Sequence, residues 1–289
     1  MTVPRKYKGV IYIIISAFCF ALMAAFVRLS GDLPTFLKTF FRNFVALFFA
    51  VGLLIKNRIP FRPACKKNIL PLTVRALAGT LGMVGNFYAI DHLVLSDASM
   101  LNKMSPFFAI VFSYIFLKEK LTVFQICAVL MAFGGSLLII KPSFSNVDLL
   151  PAAAGFFGGM GAGLAYACVR YLGQHGEKGA FIVAFFSAFS CIFCLPFMIA
   201  GYVPMSGKQL LFLIGAGAAA AGGQFSITAA YSCAPAREIS IYDYSQLLFS
   251  TSLGFFIFGD VPDVFSFIGY FIIISMAAAN FVYNQRRNG

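Results

Sequence analysis

Charged residues are scarce in this chain: they make up 11% of its 289 residues, whereas 60% of the residues are hydrophobic. A soluble domain carries roughly a quarter charged residues, so this scarcity excludes an exterior that faces water. The apolar residues gather into runs of about twenty, the length that crosses a hydrocarbon core of about 30 Å. Ten such runs cover residues 9–29, 36–55, 69–90, 95–117, 121–140, 150–170, 179–200, 209–231, 238–258 and 264–283. Little chain remains for a soluble domain, which predicts a polytopic membrane protein.

Side chains suited to catalysis or metal binding are also few. The two histidines, His92 and His175, fall in predicted loops on opposite sides of the membrane. The chain has no G-x-S-x-G or H-E-x-x-H motif, the patterns typical of serine hydrolases and zinc proteases. Five of the seven cysteines lie within predicted spans, and Cys65 and Cys233 lie in predicted cytoplasmic loops, so free thiols are expected. We therefore predict that the protein is not an enzyme and has no cofactor or metal; an intramembrane enzyme is a remote alternative.

The glycine-rich stretch GGMGAG at 158–163 does not match a phosphate-binding loop. It lacks the Lys-Ser/Thr pair that follows such a loop, and it lies within a hydrophobic run. Gly155, Gly159 and Gly163 instead recur at every fourth residue, a spacing typical of close helix contact. The lack of an ATP-binding motif argues against nucleotide hydrolysis by this chain.

Acidic residues number only 10 against 22 Lys and Arg, which gives a net charge of +12. With the N-terminus inside, fifteen of the basic residues fall on the cytoplasmic side, and this bias sets orientation in membrane proteins. We predict both termini in the cytoplasm, in the cell (plasma or inner) membrane. The charge then needs no nucleic-acid partner, and the expected partners are a small-molecule substrate and the lipid bilayer. The chain is expected to be a monomer or a homodimer.

The two halves of the sequence resemble each other at a period of about 141 residues. LMAAFVRL at 22–29 matches LAYACVRYL at 164–172, and residues 97–103 align without gaps to residues 238–244. Each half, 1–148 and 149–289, holds five predicted spans, so the second half must be inserted upside down. The predicted fold is an all-α membrane protein with ten transmembrane helices in two inverted five-helix repeats. Many secondary transporters have this architecture, with a substrate site near the midplane.

These features resemble the drug/metabolite transporter superfamily, and in particular its EamA-like type. The resemblance rests on ten spans in two halves, short loops, Pro106 in the fourth span and Glu119 at the end of that span. It covers 9–140 and 150–283, and the second half departs from it with Leu247 at the place of Pro106. The resemblance implies a small-solute carrier, often an exporter of metabolites, amino acids or toxic compounds.

Two spans carry a polar stripe at matching depth. On one helix face the fourth span presents Ser99, Asn102, Lys103 and Pro106, and the ninth presents Ser240, Asp243, Tyr244 and Leu247. Lys103 lies about 10 Å of helix rise from the outer end of its span, where a charge facing lipid costs about 3 kcal/mol. Asp243 has the right sign to pair with it. The stripes predict either the wall of a polar cavity or an ion pair that only locks the halves together.

Further candidate substrate contacts on other spans are Arg42, Asn86, Tyr166, Gln224 and Tyr231, and the ninth span adds Tyr242 and Tyr244. Arg75 is expected to reach the cytoplasmic interface instead. Asp97 and Glu238, with Asp243, are candidates for ion coupling, although the first two also suit helix capping. Glu119 and Asp260 are expected to pair with nearby lysines or to cap the next helix.

The function predicted from these residues is secondary transport by alternating access around a midplane cavity. Mixed charge in that cavity favours a polar or zwitterionic solute such as an amino acid or related metabolite, and efflux is one expected direction. A carrier of organic cations, such as choline-like or drug-like compounds, is the main alternative, and Lys103 argues against it. A channel is a further alternative that the inverted repeat disfavours.

Overall fold

The computed structural model describes residues 5–92, 95–141 and 149–288 of the chain, without the side chains of residues 5–6, 90–91, 95–98 and 287–288. Every regular element in this described part is helical. The α-helices are α1 Arg5–Leu29, α2 Thr35–Lys56, α3 Ile69–His92, α4 Leu95–Asn102, α5 Ser105–Leu117, α6 Val123–Ile140, α7 Leu149–Gln174, α8 Gly179–Ala200, α9 Gly207–Cys233, α10 Ala236–Ile239, α11 Ser245–Leu253 and α12 Val264–Asn288. Ser240–Tyr244 is a 3-10 turn, and Gly254–Phe258 is a π-helical turn.

Eight helices of the described part are long and apolar enough to cross a membrane. The two predicted spans outside this group are α3 and the stretch 238–258, which is divided among α10, the 3-10 turn, α11 and the π-helical turn. The protein is therefore an all-α, multi-pass membrane protein, as the composition predicted. The count of ten spans remains a prediction.

Local sequence explains where two of the long helices begin. Thr122 precedes α6 and accepts a hydrogen bond from the Gln125 backbone N–H, while the Gln125 side chain accepts one from the Thr122 N–H. Ser206 and Gln209 form the same reciprocal capping box before α9. Each box satisfies backbone donors that a helix start otherwise leaves without partners.

Long helices of the first half pair with long helices of the second half, and the pairing is the same from either half. In the sequence alignment α1 corresponds to α7 and α3 to α9, and the two most extensive contacts are α1 with α9 and α7 with α3. Helices α2 and α8 contact each other, as do α6 and α12, and these are also corresponding pairs. The predicted inverted repeat would produce such a pattern of contacts, and it stays a prediction.

The regularly spaced glycines of α7 lie against the fourth predicted span. A Cβ atom on Gly159 would lie 2.4 Å from the Leu101 carbonyl oxygen, and one on Gly163 would lie 2.5 Å from the Phe108 Cβ. A Cβ on Gly155 would lie 2.8 Å from the Leu101 side chain. Only glycine permits so close an approach, so the prediction of helix contact is confirmed.

Candidate functional site

The fourth and ninth predicted spans are both interrupted at the aligned positions. Helix α4 ends at Asn102 and α5 begins at Ser105, so Lys103 lies in the joint. In the second half the 3-10 turn Ser240–Tyr244 precedes α11. The helical-face pattern treated each span as continuous, and the structure corrects this. The sequence of the second half gives no proline as a cause, because Leu247 stands where Pro106 stands in the first half.

Lys103 points into the protein and meets the predicted partner. Only 5% of Lys103 and 5% of Asp243 is exposed, and the Lys103 Nζ lies 3.4 Å from the Asp243 Oδ2. Lys103 also donates a shorter hydrogen bond of 2.6 Å to the Gln246 Oε1. A buried charge requires a partner of opposite sign and further hydrogen bonds. Here Asp243 is the partner of opposite sign, and Gln246 supplies the further hydrogen bond.

Tyrosines of the second half surround this ion pair. The Tyr244 hydroxyl donates a 3.1 Å hydrogen bond to the Lys103 carbonyl oxygen, so the two joints are bonded directly. Tyr231 on α9 stacks on Tyr166 of α7 with ring centres 4.9 Å apart and planes 12° apart. The Tyr231 hydroxyl lies 3.2 Å from the Ser240 Oγ. The predicted contacts Tyr166, Tyr231 and Tyr244 thus belong to one polar and aromatic cluster with Lys103.

Other predicted site residues lie at the margin of this cluster. The Arg42 guanidinium donates to the Met83 sulfur at 2.8 Å and lies over the Phe20 ring, and the Tyr166 hydroxyl is within its electrostatic range. The Asn86 Oδ1 is buried and has no hydrogen-bond partner, while Gln224 is 7% exposed. Buried polar groups of this kind are rare in native proteins, so the Asn86 oxygen is suited to a ligand contact.

The remaining predictions are distributed along the interrupted helices. Ser99 and Asn102 are half-buried, and the Ser99 carbonyl accepts from the Lys103 N–H. Tyr242 and Glu238 do not join Lys103; they line a small cavity of about 10 Å³ together with Tyr7 of α1. Asp97 belongs to α4, but its side chain lies outside the described residues.

The ion pair is enclosed in this conformation. A groove of about 330 Å³ lies between α3 and α7, but it is lined by glycines and apolar side chains such as Leu81 and Phe157. Such a lining is typical of a helix seam that faces lipid, and it contains none of the predicted site residues. A solute therefore reaches Lys103 only when helices around the joints separate.

Comparison with known proteins shows which proteins this chain resembles. The model of the EamA-like transporter family matches residues 7–141. The chain is 29% identical over 277 residues to the pseudopaline exporter CntI of Pseudomonas aeruginosa, covering 95% of this chain and 96% of that protein. It is 27% identical to solute carrier family 35 member G1 of Mus musculus, covering 90% of this chain and 74% of that one. The chain is a membrane transporter that is similar to members of the drug/metabolite transporter superfamily.

A solved structure adds to this comparison. A crystal structure superposes on the transporter with a TM-score of 0.85 at 14% identity, covering 98% of this chain and 99% of the other. At this identity the likeness shows the fold alone. The full-length match agrees with one continuous arrangement of helices through both halves.

Two residues of the transporter's polar interior were missed by the sequence reasoning. Gln246 lies three residues after Asp243, and this spacing on one helix turn was the available signal. Arg75 was placed at the interface, and this prediction is wrong: the residue is 2% exposed and its guanidinium lies 3.7 Å from the centre of the Phe186 ring. Gly79, one helix turn after Arg75, was the sequence signal for this inward position. A Cβ at Gly79 would lie 3.0 Å from the Arg75 Nη1, so the glycine leaves space for the guanidinium.

The carboxylates at the helix ends also differ from expectation. Glu119 pairs with Arg170 at 2.9 Å and Asp260 pairs with Arg28, so each contacts an arginine of the other half and neither a nearby lysine nor a helix start. Spacing along the chain favoured the lysines, whereas helix packing brings the arginines closer. The planar guanidinium also matches a carboxylate better than an ammonium does.

Proposed function

We propose that this transporter moves a small polar or zwitterionic organic solute, such as an amino acid or related metabolite, across the cell membrane by alternating access. Its halves, 1–148 and 149–289, act as inverted repeats with both termini in the cytoplasm. The single observation that carries the proposal is the buried Lys103–Asp243 pair. A charge at this depth is expensive to keep, and such residues in membrane spans mark substrate or ion paths.

The chemistry of the pair suits a zwitterion. A substrate carboxylate can replace Asp243 and Gln246 as the acceptor for the Lys103 ammonium. A substrate ammonium group can then pair with the Asp243 carboxylate. Each protein charge then exchanges one partner for another, so neither is left unpaired when the solute enters. The adjoining helix interruptions favour this position, because irregular helical backbone at membrane depth is typical of solute sites in secondary transporters.

Coupling and direction form part of the same proposal. Of the coupling candidates, Asp243 is favoured over Glu238 and Asp97, because it pairs directly with the buried Lys103. Glu238 lies away from the pair, beside Arg237 at 4.0 Å. Export is the proposed direction, and the name of the Pseudomonas relative supports it. The organic-cation alternative is less well supported, because Tyr166 and Tyr231 stack at 4.9 Å and leave no space for a cation between the rings.

The test is solute binding and exchange by the purified, full-length protein. We expect amino acids to raise the melting temperature by several degrees through mass action, and labelled solute to show counterflow in proteoliposomes. Lys103→Met and Asp243→Asn should abolish both signals, whereas Lys67→Met at an exposed position of the 3-10 turn Lys66–Asn68 should change neither.

The double variant Lys103→Met with Asp243→Asn separates transport from scaffolding. It removes both charges, so no buried ion is left without a partner and the fold should be retained. Normal counterflow in this folded double variant would show that the pair only locks the halves together. Linear, non-saturating flux in the wild-type protein would point to a channel instead.

A further inference from the structure

Arg75 is a buried cation that pairs with none of the carboxylates whose side chains the structure describes. It lies on α3 with 2% of its surface exposed, and its Nε and Nη1 atoms form no hydrogen bond. The Phe186 ring packs against it, with the ring centre 3.7 Å from the guanidinium carbon. Arginine does not lose its proton in proteins, so the charge persists in this setting.

Each carboxylate whose side chain the structure describes either contacts a group other than Arg75 or is exposed. The chain has 10 acidic residues. Five of them face a different cation: Glu119, Glu238, Asp243, Asp260 and Asp263. Glu177 accepts a 2.8 Å hydrogen bond from the Asn68 side chain, and Asp32 is exposed after α1.

Two further acidic residues lie on described helices at a distance from Arg75 along the chain. Asp91 is on the same helix as Arg75 but about 24 Å further along it, at 1.5 Å per residue. Asp97 belongs to the helix that begins just after that end of α3. Among the acidic side chains that the structure describes, none therefore neutralises Arg75.

The surroundings of Arg75 are positive as well. Arg42 and Arg75 both interact electrostatically with Tyr166, and so does Asp243. Lys103 uses the Asp243 charge, so the two arginines near Tyr166 have no carboxylate of their own among the described residues. Two arginines without a described carboxylate partner attract an anion, and a low dielectric strengthens this attraction.

We propose that Arg75 is a subsite for a carboxylate of the transported solute, with Arg42 as a second cation nearby. This deepens the proposed function and depends on it, because it narrows the substrate class to solutes that carry at least one carboxylate beyond a simple zwitterion. The guanidinium is a planar fork of N–H donors suited to carboxylate oxygens. Its Nε and Nη1 lie on different edges of this fork and both lack a partner, so each offers one donor to a solute carboxylate oxygen. The solute would reach this site when α3, α7 and α8 part.

The test uses succinate as the probe and succinamide as its neutral control, with the purified full-length protein. We expect millimolar succinate to raise the melting temperature of the wild type by several degrees and succinamide to leave it unchanged. Arg75→Met should abolish the succinate shift. Arg75→Lys keeps the charge but loses the fork and should keep a smaller shift, while Arg62→Met in an exposed loop should behave as the wild type.

The melting temperature without ligand distinguishes a binding role from a packing role. Arg75→Met exchanges a buried, unpaired charge for an apolar side chain, so it should leave the melting temperature unchanged or raise it. The proposal is overturned if Arg75→Met lowers that temperature as much as Phe186→Ala does. It is also overturned if succinate gives no shift in the wild type, or the same shift in Arg75→Met.

Asp243→Asn keeps this test separate from that of the proposed function. A succinate shift that disappears in Arg75→Met and survives in Asp243→Asn supports the subsite, even if the Lys103–Asp243 pair proves to be a scaffold. A shift that disappears only in Asp243→Asn refutes the subsite and leaves the proposed function intact.

Discussion

The two ends of the transporter are held together by different kinds of polar contact. At the end that contains the chain termini, the side chains of Arg170 and Glu119 are only 13% and 10% exposed. At the opposite end, Arg28 and Asp260 are 56% and 50% exposed, and Lys141 and Asp263 are 47% and 46% exposed. All three pairs join the first half of the chain to the second. The terminal end is therefore sealed by buried charges, and the opposite end is closed by contacts that water already reaches.

This difference bears on which end opens more easily from the present conformation. Separating a buried pair exposes both charges to a new environment and breaks supporting hydrogen bonds, such as that from Arg170 to the Ser232 carbonyl. An exposed pair exchanges its partner for water at little cost. We infer that the present conformation opens more readily at the end opposite the termini.

The largest effect is expected for single substitutions in the buried pair. Glu119→Ala leaves Arg170 buried without its carboxylate, and a broken buried pair typically costs about 3–5 kcal/mol. The apparent melting temperature in detergent should fall by many degrees. Glu119→Ala with Arg170→Ala should recover part of the loss, and a fall no larger than that of Asp260→Asn would contradict the proposed seal.

Glu177→Gln should have the next largest effect. The Glu177 carboxylate is 7% exposed and accepts hydrogen bonds from the Ala64 N–H and the Asn68 side chain, both of the first half. The amide keeps the shape but loses the charge, and hydrogen bonds to charged groups contribute about 1.5–3 kcal/mol. Thermal unfolding measures the change, and Asp32→Asn in an exposed turn is the control.

Asp260→Asn should have a small effect on stability. Arg28 and Asp260 are half-exposed, and Arg28 keeps its contact with the Phe258 ring, 4.0 Å away, in the variant. Salt screens exposed pairs, so the difference from the wild type should shrink further as ionic strength rises. A large fall in melting temperature that persists in high salt would show that both ends are sealed alike.

The smallest effect is expected from pH at the exposed end. The pKa of Asp263 is lowered to about 2, first by the hydrogen bond from Lys141 and then by the Ser266 backbone N–H. Because the folded pKa lies below the ordinary value of 3.8, this stabilisation is fully present above about pH 4 and is lost as pH falls through about 2. Melting temperatures of wild type and Asp263→Asn should therefore run parallel between pH 5 and 8, and divergence in that range would contradict the assignment.

Much of the polar centre follows from the sequence because charge within a span is so costly. Lys103 needed a partner, and the repeat register placed Asp243 at the right depth. The interruption in the second half was not predictable, since no proline marks it and the hydrogen bonds from Tyr244 to the Lys103 carbonyl and from Ser245 to the Tyr242 carbonyl form only in the folded protein.

Arg75 and Glu119 show where sequence reasoning ends. A position along a helix gives depth, but it does not tell which way the side chain turns. Arg75 had the depth of an interfacial residue and is directed toward Phe186 instead. Glu119 had lysines beside it in the chain, and packing of α7 brought Arg170 closer. Both outcomes depend on contacts between helices that are distant in sequence.

The glycines of α7 have a mechanical consequence for the joint at Lys103. Because Gly155, Gly159 and Gly163 carry no side chains, α7 presents a smooth face to Leu101 and Phe108. The α7 helix therefore offers few steric barriers to a change in the angle between α4 and α5. We expect the segments on either side of Lys103 to tilt relative to each other while they stay in contact with α7.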